Sequence, residues 1–167
     1  APILQASTSE IYGDPLEHPQ KESYLGNVST IGPRACYDEG KRCAETLFFS
    51  YQKQYGLNTK VVRIFNAYGP NMDLADGRVV SDFIIKALKG ENIIIHGDGE
   101  QTRSFCYVSD MSRGLRLMMD KEVFGPINIG NPWEVSIKSL AQKVIDLIGS
   151  ASVIVHTEKR EDDPMRR

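Results

Sequence analysis

Hydrophobic and polar positions fall into two rhythms along the chain: short β-branched runs, and longer stretches with apolar residues three or four apart. Ile3-Leu4-Gln5-Ala6, running into Ser7-Thr8-Ser9, predicts a strand with a polar mouth, and Gly13-Asp14-Pro15 turns the chain away. A loop to Gly32-Pro33 precedes a helix expected from Arg34. Pro33 suits a first helical position, Ala44, Leu47, Phe48, Tyr51 and Tyr55 recur at three- and four-residue spacing, with the aromatic Phe48, Tyr51 and Tyr55 read as core, and Gly56 is its stop. Residues 60–65 read as a second strand, closed by Asn66 and the Gly69-Pro70 turn. Strand, helix, strand in that order predicts a parallel α/β sheet.

Further on, the same two rhythms predict helices over 79–88, 110–119 and 136–148, and strands at 93–95, 127–129 and 153–155. Within 79–88 the apolar positions that mark the helix are Val80, Phe83, Ile84 and Leu88. The irregular stretch 68–78 is the best place for a boundary, so residues 1–76 read as the end of a sheet domain and 77–167 as a small α+β part.

Composition narrows the class without changing this picture. The 167 residues, 41% hydrophobic and 25% charged, fit one globular domain or a piece of a larger one. Twenty basic against twenty-two acidic residues leave a net charge of -2, so nucleic acid and anionic membrane are not expected partners. No apolar run approaches the ~20 residues of a membrane span. The expected location is the cytoplasm, or the Golgi lumen if a preceding segment carries an anchor. Cys36, Cys43 and Cys106 form no C-x-x-C pair and read as buried free thiols, and His18, His96 and His156 share no metal-ligand spacing and read as surface or loop residues.

Chemistry enters at Tyr37 and Lys41. Four positions apart on a helix, they sit about 40° apart around its axis and share a face. An ammonium beside a phenol favours the phenolate and makes a tyrosine a usable base. The hydroxyl cluster at the end of the first strand lies one loop away.

Taken together, STSEIYGDP, YDEGK and RIFNAYGP resemble the extended short-chain dehydrogenases/reductases that modify nucleotide sugars. The likeness continues through DGRVVSDFI, GDGEQTRSFCYVSD, INIGNP and EDDPMRR, and is strongest to the branch that decarboxylates UDP-glucuronate to UDP-xylose. The resemblance implies the C-terminal part of a Rossmann-like NAD-binding fold plus a small α+β substrate-binding part. It also implies NAD as cofactor, a UDP-sugar as substrate, and a homodimer paired through the Tyr37-containing helix. By position it assigns catalysis to Thr8, Glu10, Tyr37, Lys41 and Arg103, and cofactor contacts to Tyr37, Lys41, Ala67 and Arg78. Ser9, Asn66, Arg103, Arg160 and Arg167 are assigned to the substrate. A dTDP-sugar 4,6-dehydratase would carry Asp where Ser9 stands, so that reading falls. A 4-epimerase of the same family stays open.

One feature of the family is missing from the sequence: no G-x-x-G-x-x-G or G-x-G-x-x-G occurs, and Gly97-Asp98-Gly99 reads as a plain turn. Two expectations follow. Either the chain is the catalytic half of a longer decarboxylase, or it is a truncated protein that binds a nucleotide sugar without turning it over.

Overall fold

The computed structural model describes residues 1–158. Strands β1 (Ile3–Thr8), β2 (Thr59–Ile64) and β7 (Ile127–Ile129) form a parallel sheet in the order β1-β2-β7. Thr8 is level with Ile64, and Ile64 with Ile129, so all three carboxyl ends reach one edge. That edge is where open α/β sheets take their ligands. β7 comes from beyond residue 77, so the first sheet draws a strand from the second stretch of chain.

Helix α1 (Ala35–Tyr55) joins β1 to β2 and packs against both. Its end is as expected: Gly56 takes a left-handed φ of 64° and returns its N–H to the Gln52 carbonyl at 2.9 Å. The start differs, because Pro33 lies in the preceding turn and Arg34 is the N-cap. Its facing also differs. Of the aromatic positions expected in the core, Tyr51 and Tyr55 are at least half exposed, as is Leu47 beside them, whereas Asp38 and Glu45 are buried. The reason lies in the sheet, where Ser7 and Arg63 point polar groups at the helix and reward a carboxylate there. Cys36 and Cys43 share the exposure of α1; only Cys106 is a buried thiol.

In the second stretch, β4 (Ile93–His96) and β9 (Ile154–Thr157) pair in parallel, covered by α2 (Val79–Lys89) and α4 (Ile137–Ile148). Phe83, Ala87, Ile93, Ile95, Ile137, Ala141 and Val144 form the core. A fully buried isoleucine or phenylalanine contributes about 1.5–3 kcal/mol each. Of the apolar positions of α2, Ile84 and Leu88 are exposed, because its buried face runs through Val80, Phe83 and the small Ala87. Ser136 caps α4, its hydroxyl accepting from the Ser139 amide at 3.1 Å.

Of two further small pairings, only the first joins the two stretches. β3 (Ala67–Tyr68) runs parallel to β6 (Cys106–Tyr107), and β5 (Thr102–Ser104) runs antiparallel to β8 (Glu134–Ser136). α3 (Val108–Asp120) follows β6 directly and packs on β2 and β7. His96 and His156 lie on β4 and β9 rather than in loops, with His18 in the loop after β1. No helix among the described residues is long and apolar enough to cross a membrane.

Candidate active site

Beyond the carboxyl ends of β1 and β2 lies a cleft of about 1050 Å³. Its first wall is the polar mouth of β1. Thr8 is extended (φ -147°), and its Oγ1 accepts from the Glu10 amide at 3.2 Å, which starts a one-turn 3-10 helix over Ser9–Tyr12. A hydroxyl has one proton to donate and two lone pairs. With one lone pair on the Glu10 amide, Thr8 keeps its proton for a ligand oxygen. The same turn buries Glu10 and aims its carboxylate at Arg34, whose Nη2 is 2.8 Å from Oε2.

The second wall is the start of α1. Lys41 Nζ donates to the Ala6 carbonyl at 2.8 Å and lies 5.7 Å from the centre of the Tyr37 ring. The lysine thereby ties the helix to β1 two residues before Thr8 and carries its charge along the tyrosine. Tyr37 is 45% exposed, so its phenol is reachable by solvent and ligand.

Behind these walls is a buried polar network. Ser7 donates to Glu45 at 2.5 Å, Arg63 grips Glu45 through Nε and Nη2 at 2.8–3.3 Å, and Arg63 Nη1 donates to the Tyr12 hydroxyl at 2.9 Å. Tyr12 in turn donates to Asn128 Oδ1 at 2.8 Å on β7. Burial holds the Tyr12 phenol above its ordinary pKa, with Arg63 pulling the other way. For Arg63 burial works against the charge, but the hydrogen bonds to Glu45 and Tyr12 outweigh it and hold its pKa above the usual value. Tyr12, Arg63 and Glu45 are thus scaffold to the mouth of β1.

The far side comes from the second stretch. Arg103 is buried on β5, donating Nη1 to the Thr102 carbonyl at 2.7 Å. Asn66, just past β2, donates to the Ser104 carbonyl at 3.3 Å, and Ala67 pairs with Cys106. Arg78 leads into α2 beside Asp76, 3.5 Å from it, and is mostly exposed.

Thr8, Ser9, Glu10, Tyr37, Lys41, Asn66, Ala67, Arg78 and Arg103 therefore line one cleft. Arg160 and Arg167 fall outside the described residues. Sequence reasoning missed Arg34. Its signal is present in the R-x-x-Y spacing, which puts Arg34 about one turn before Tyr37.

Residues 1–130 match the NAD dependent epimerase/dehydratase family. The chain belongs to that family. Across all its 167 residues it is 56% identical to UDP-glucuronic acid decarboxylase 5 of Arabidopsis thaliana and 54% identical to UDP-glucuronic acid decarboxylase 1 of Xenopus tropicalis, covering 49% and 40% of those proteins. It thus spans about half the length of the curated relatives it matches. Among solved family structures, the UDP-glucose 4-epimerase of Thermotoga maritima with UDP-glucose overlays 99% of this chain and 53% of its own, with a TM-score of 0.91 at 27% identity. The UDP-glucuronic acid 4-epimerase of Bacillus cereus, in complex with UDP-glucuronic acid and NAD, shares the fold at a TM-score of 0.85 and 24% identity, over 99% of this chain and 51% of that one. The expectation of a Rossmann-like α/β fold in this family holds.

The cleft fits one end of a dinucleotide. Lys41, Tyr37 and Thr8 offer an ammonium, a phenol and a hydroxyl at a strand end, which suits the nicotinamide ribose. The Gly97-Asp98-Gly99 turn follows β4 and leads to β5, and the Gly99 and Gln101 carbonyls accept from the Lys138 and Ile137 amides at the start of α4, so those helix-end donors are already taken and the turn is no pyrophosphate cradle.

Proposed function

We propose that this chain supplies the catalytic and sugar-binding portion of an NAD-dependent UDP-glucuronate decarboxylase, with residues 1–76 serving mainly the cofactor and 77–167 the nucleotide sugar. The observation that carries the reading is that Thr8, Glu10, Tyr37, Lys41 and Arg103 converge on one cleft in a chain more than half identical to such decarboxylases throughout its length.

Tyr37 takes the proton of the sugar 4-hydroxyl, while the Thr8 hydroxyl donates to the same oxygen and holds it in place. Lys41, anchored on Ala6, stabilises the phenolate and binds the nicotinamide ribose. NAD, when bound, supplies the reversible hydride acceptance at carbon 4. The resulting 4-ketone is β to the carboxylate, so the carbon–carbon bond breaks with its electron pair delocalised onto the ketone oxygen and carbon dioxide leaves. Protonation at carbon 5, with the hydride that bound NAD would have taken up given back at carbon 4, would yield UDP-xylose with no net redox change. Glu10 and Arg103 act at the carboxyl end of the sugar, Arg103 offsetting negative charge as the enolate forms. Ser9, Asn66, Arg78 and Ala67 position substrate and cofactor, and the family resemblance assigns Arg160 and Arg167, outside the described residues, to the nucleotide sugar. The exposed Leu47, Tyr51 and Tyr55 side of α1 pairs with a second copy in a homodimer.

The test is incubation of the full-length protein carrying this chain with UDP-glucuronate and NAD. Equimolar carbon dioxide and UDP-xylose support the reading. The resemblance to solved 4-epimerases favours one second reading: a UDP-galacturonate product without carbon dioxide would replace decarboxylation by epimerisation.

A further inference from the structure

The Glu10–Arg34 pair is asymmetric. Glu10 sits inside the wall, its side chain 11% exposed, and the guanidinium that neutralises it is 46% exposed on the cleft side. The surface offered to a ligand there is therefore cationic, although a carboxylate lies just behind it. Arginine carries five N–H donors in a rigid fork, and the ion pair engages Nη2, leaving the Nε and Nη1 donors for a second acceptor. Arg34 also stands three residues before Tyr37, at the N-cap of α1, so a group bound to it lies beside the phenol.

We propose that Arg34 is the specificity residue that selects a nucleotide sugar bearing a carboxylate, its guanidinium bridging the ligand carboxylate and Glu10. The inference rests on the decarboxylase reading of the same cleft and adds the group that recognises the uronate. A ligand carboxylate brought to this wall would otherwise meet Glu10, a like charge. Arg34 turns that repulsion into a shared cation, and a neutral hydroxymethyl group in the same place gains nothing from it. It also predicts release: once carbon dioxide has left, the product no longer holds the bridge.

The experiment is calorimetric binding of UDP-glucuronate, UDP-glucose and UDP-xylose to the full-length protein with NAD, as wild type, Arg34→Gln and Arg34→Lys. Arg34→Gln is expected to weaken UDP-glucuronate about tenfold, equivalent to about 1.4 kcal/mol. UDP-glucose and UDP-xylose should stay within about twofold, and Arg34→Lys should fall in between because it keeps the charge and loses the fork. Equal weakening of all three ligands, or none, overturns the proposal. If Arg34→Gln binds no ligand, Arg34→Lys decides, and a full uronate preference in that variant overturns it. A wild type that prefers the uronate while Arg34→Gln keeps the preference sinks the assignment of Arg34 and leaves the decarboxylase reading standing. A wild type with no uronate preference removes both.

Discussion

Ser7 and Glu45, 38 positions apart, meet in a 2.5 Å hydrogen bond that fastens the end of β1 to the buried side of α1. Thr8 stands on one side of this junction and Tyr37 and Lys41 on the other. The distance between the strand hydroxyl and the helix phenol is therefore governed by a contact that touches no ligand.

Glu45→Ala should be severely destabilising, by about 3–5 kcal/mol, because it strands the Arg63 guanidinium in a buried setting. Urea denaturation measures this. A loss below about 1 kcal/mol would mean that water or a moved side chain satisfies Arg63.

Tyr37→Phe removes a hydroxyl from a side chain that is 45% exposed, so the fold should stand. Turnover of UDP-glucuronate should fall by about 10²–10⁴, the range for loss of a positioned proton acceptor. Product assays beside thermal melts separate the two effects; appreciable turnover with an unchanged melt would take the proton from Tyr37 and give it to another group.

Acid should loosen the start of α2. The Arg78 amide first, and then the Ser81 hydroxyl, donate to Asp76 and hold its pKa below the ordinary aspartate value of 3.8. The folded state thus keeps the charge to lower pH than the unfolded state does. The stability this gives is present above the ordinary value and lost as pH falls through the lower, folded one. Amide exchange at Arg78 and Asp82 should accelerate across that window in the wild type. Asp76→Asn should exchange faster throughout and flatten the pH dependence.

Two glycines of nearly equal φ should respond differently to alanine. At Gly56 (φ +64°) an added Cβ meets nothing within 4 Å, so only the left-handed conformation counts, about 1–2 kcal/mol. At Gly13 (φ +65°) the Cβ would lie 2.0 Å from the Asn27 carbonyl oxygen, and the Gly13 amide is bonded to the Glu10 carbonyl. Gly13→Ala should cost clearly more in a denaturation experiment and lower activity as well, whereas Gly56→Ala should leave activity alone.

Sequence rhythm located the helices α1 to α4 and the strands β1 and β2, because those elements repeat a period long enough to be read, and three-residue β7 was legible only as the apolar ends of Ile127-Asn128-Ile129. β3, β5, β6 and β8 have two or three residues each and hold no period. The facing of α1 was illegible for another reason. Its apolar stripe is real, but the sheet beneath it carries Ser7 and Arg63, and a helix burying Glu45 against them cannot be recognised from its own sequence. Tyr37 and Lys41 were legible as a pair because helical spacing puts them on one face, and the strand-end hydroxyl cluster was legible beside them, but it took the family resemblance to single out Thr8 within it. Arg34 was not legible, since its value depends on a carboxylate 24 positions earlier that only the 3-10 turn after Thr8 aims at it.

The late return of β7 has a consequence for how the molecule can be divided. Ile127–Ile129 lie level with Val62, Arg63 and Ile64, and Asn128 anchors Tyr12 from that position. Severing the chain after residue 76 would not yield a free-standing front half; it would strip β2 of one of its two neighbours and remove the last link of the chain of hydrogen bonds that ends at Ser7. The two stretches share a keel, and neither is a module that can be exchanged without rebuilding the other.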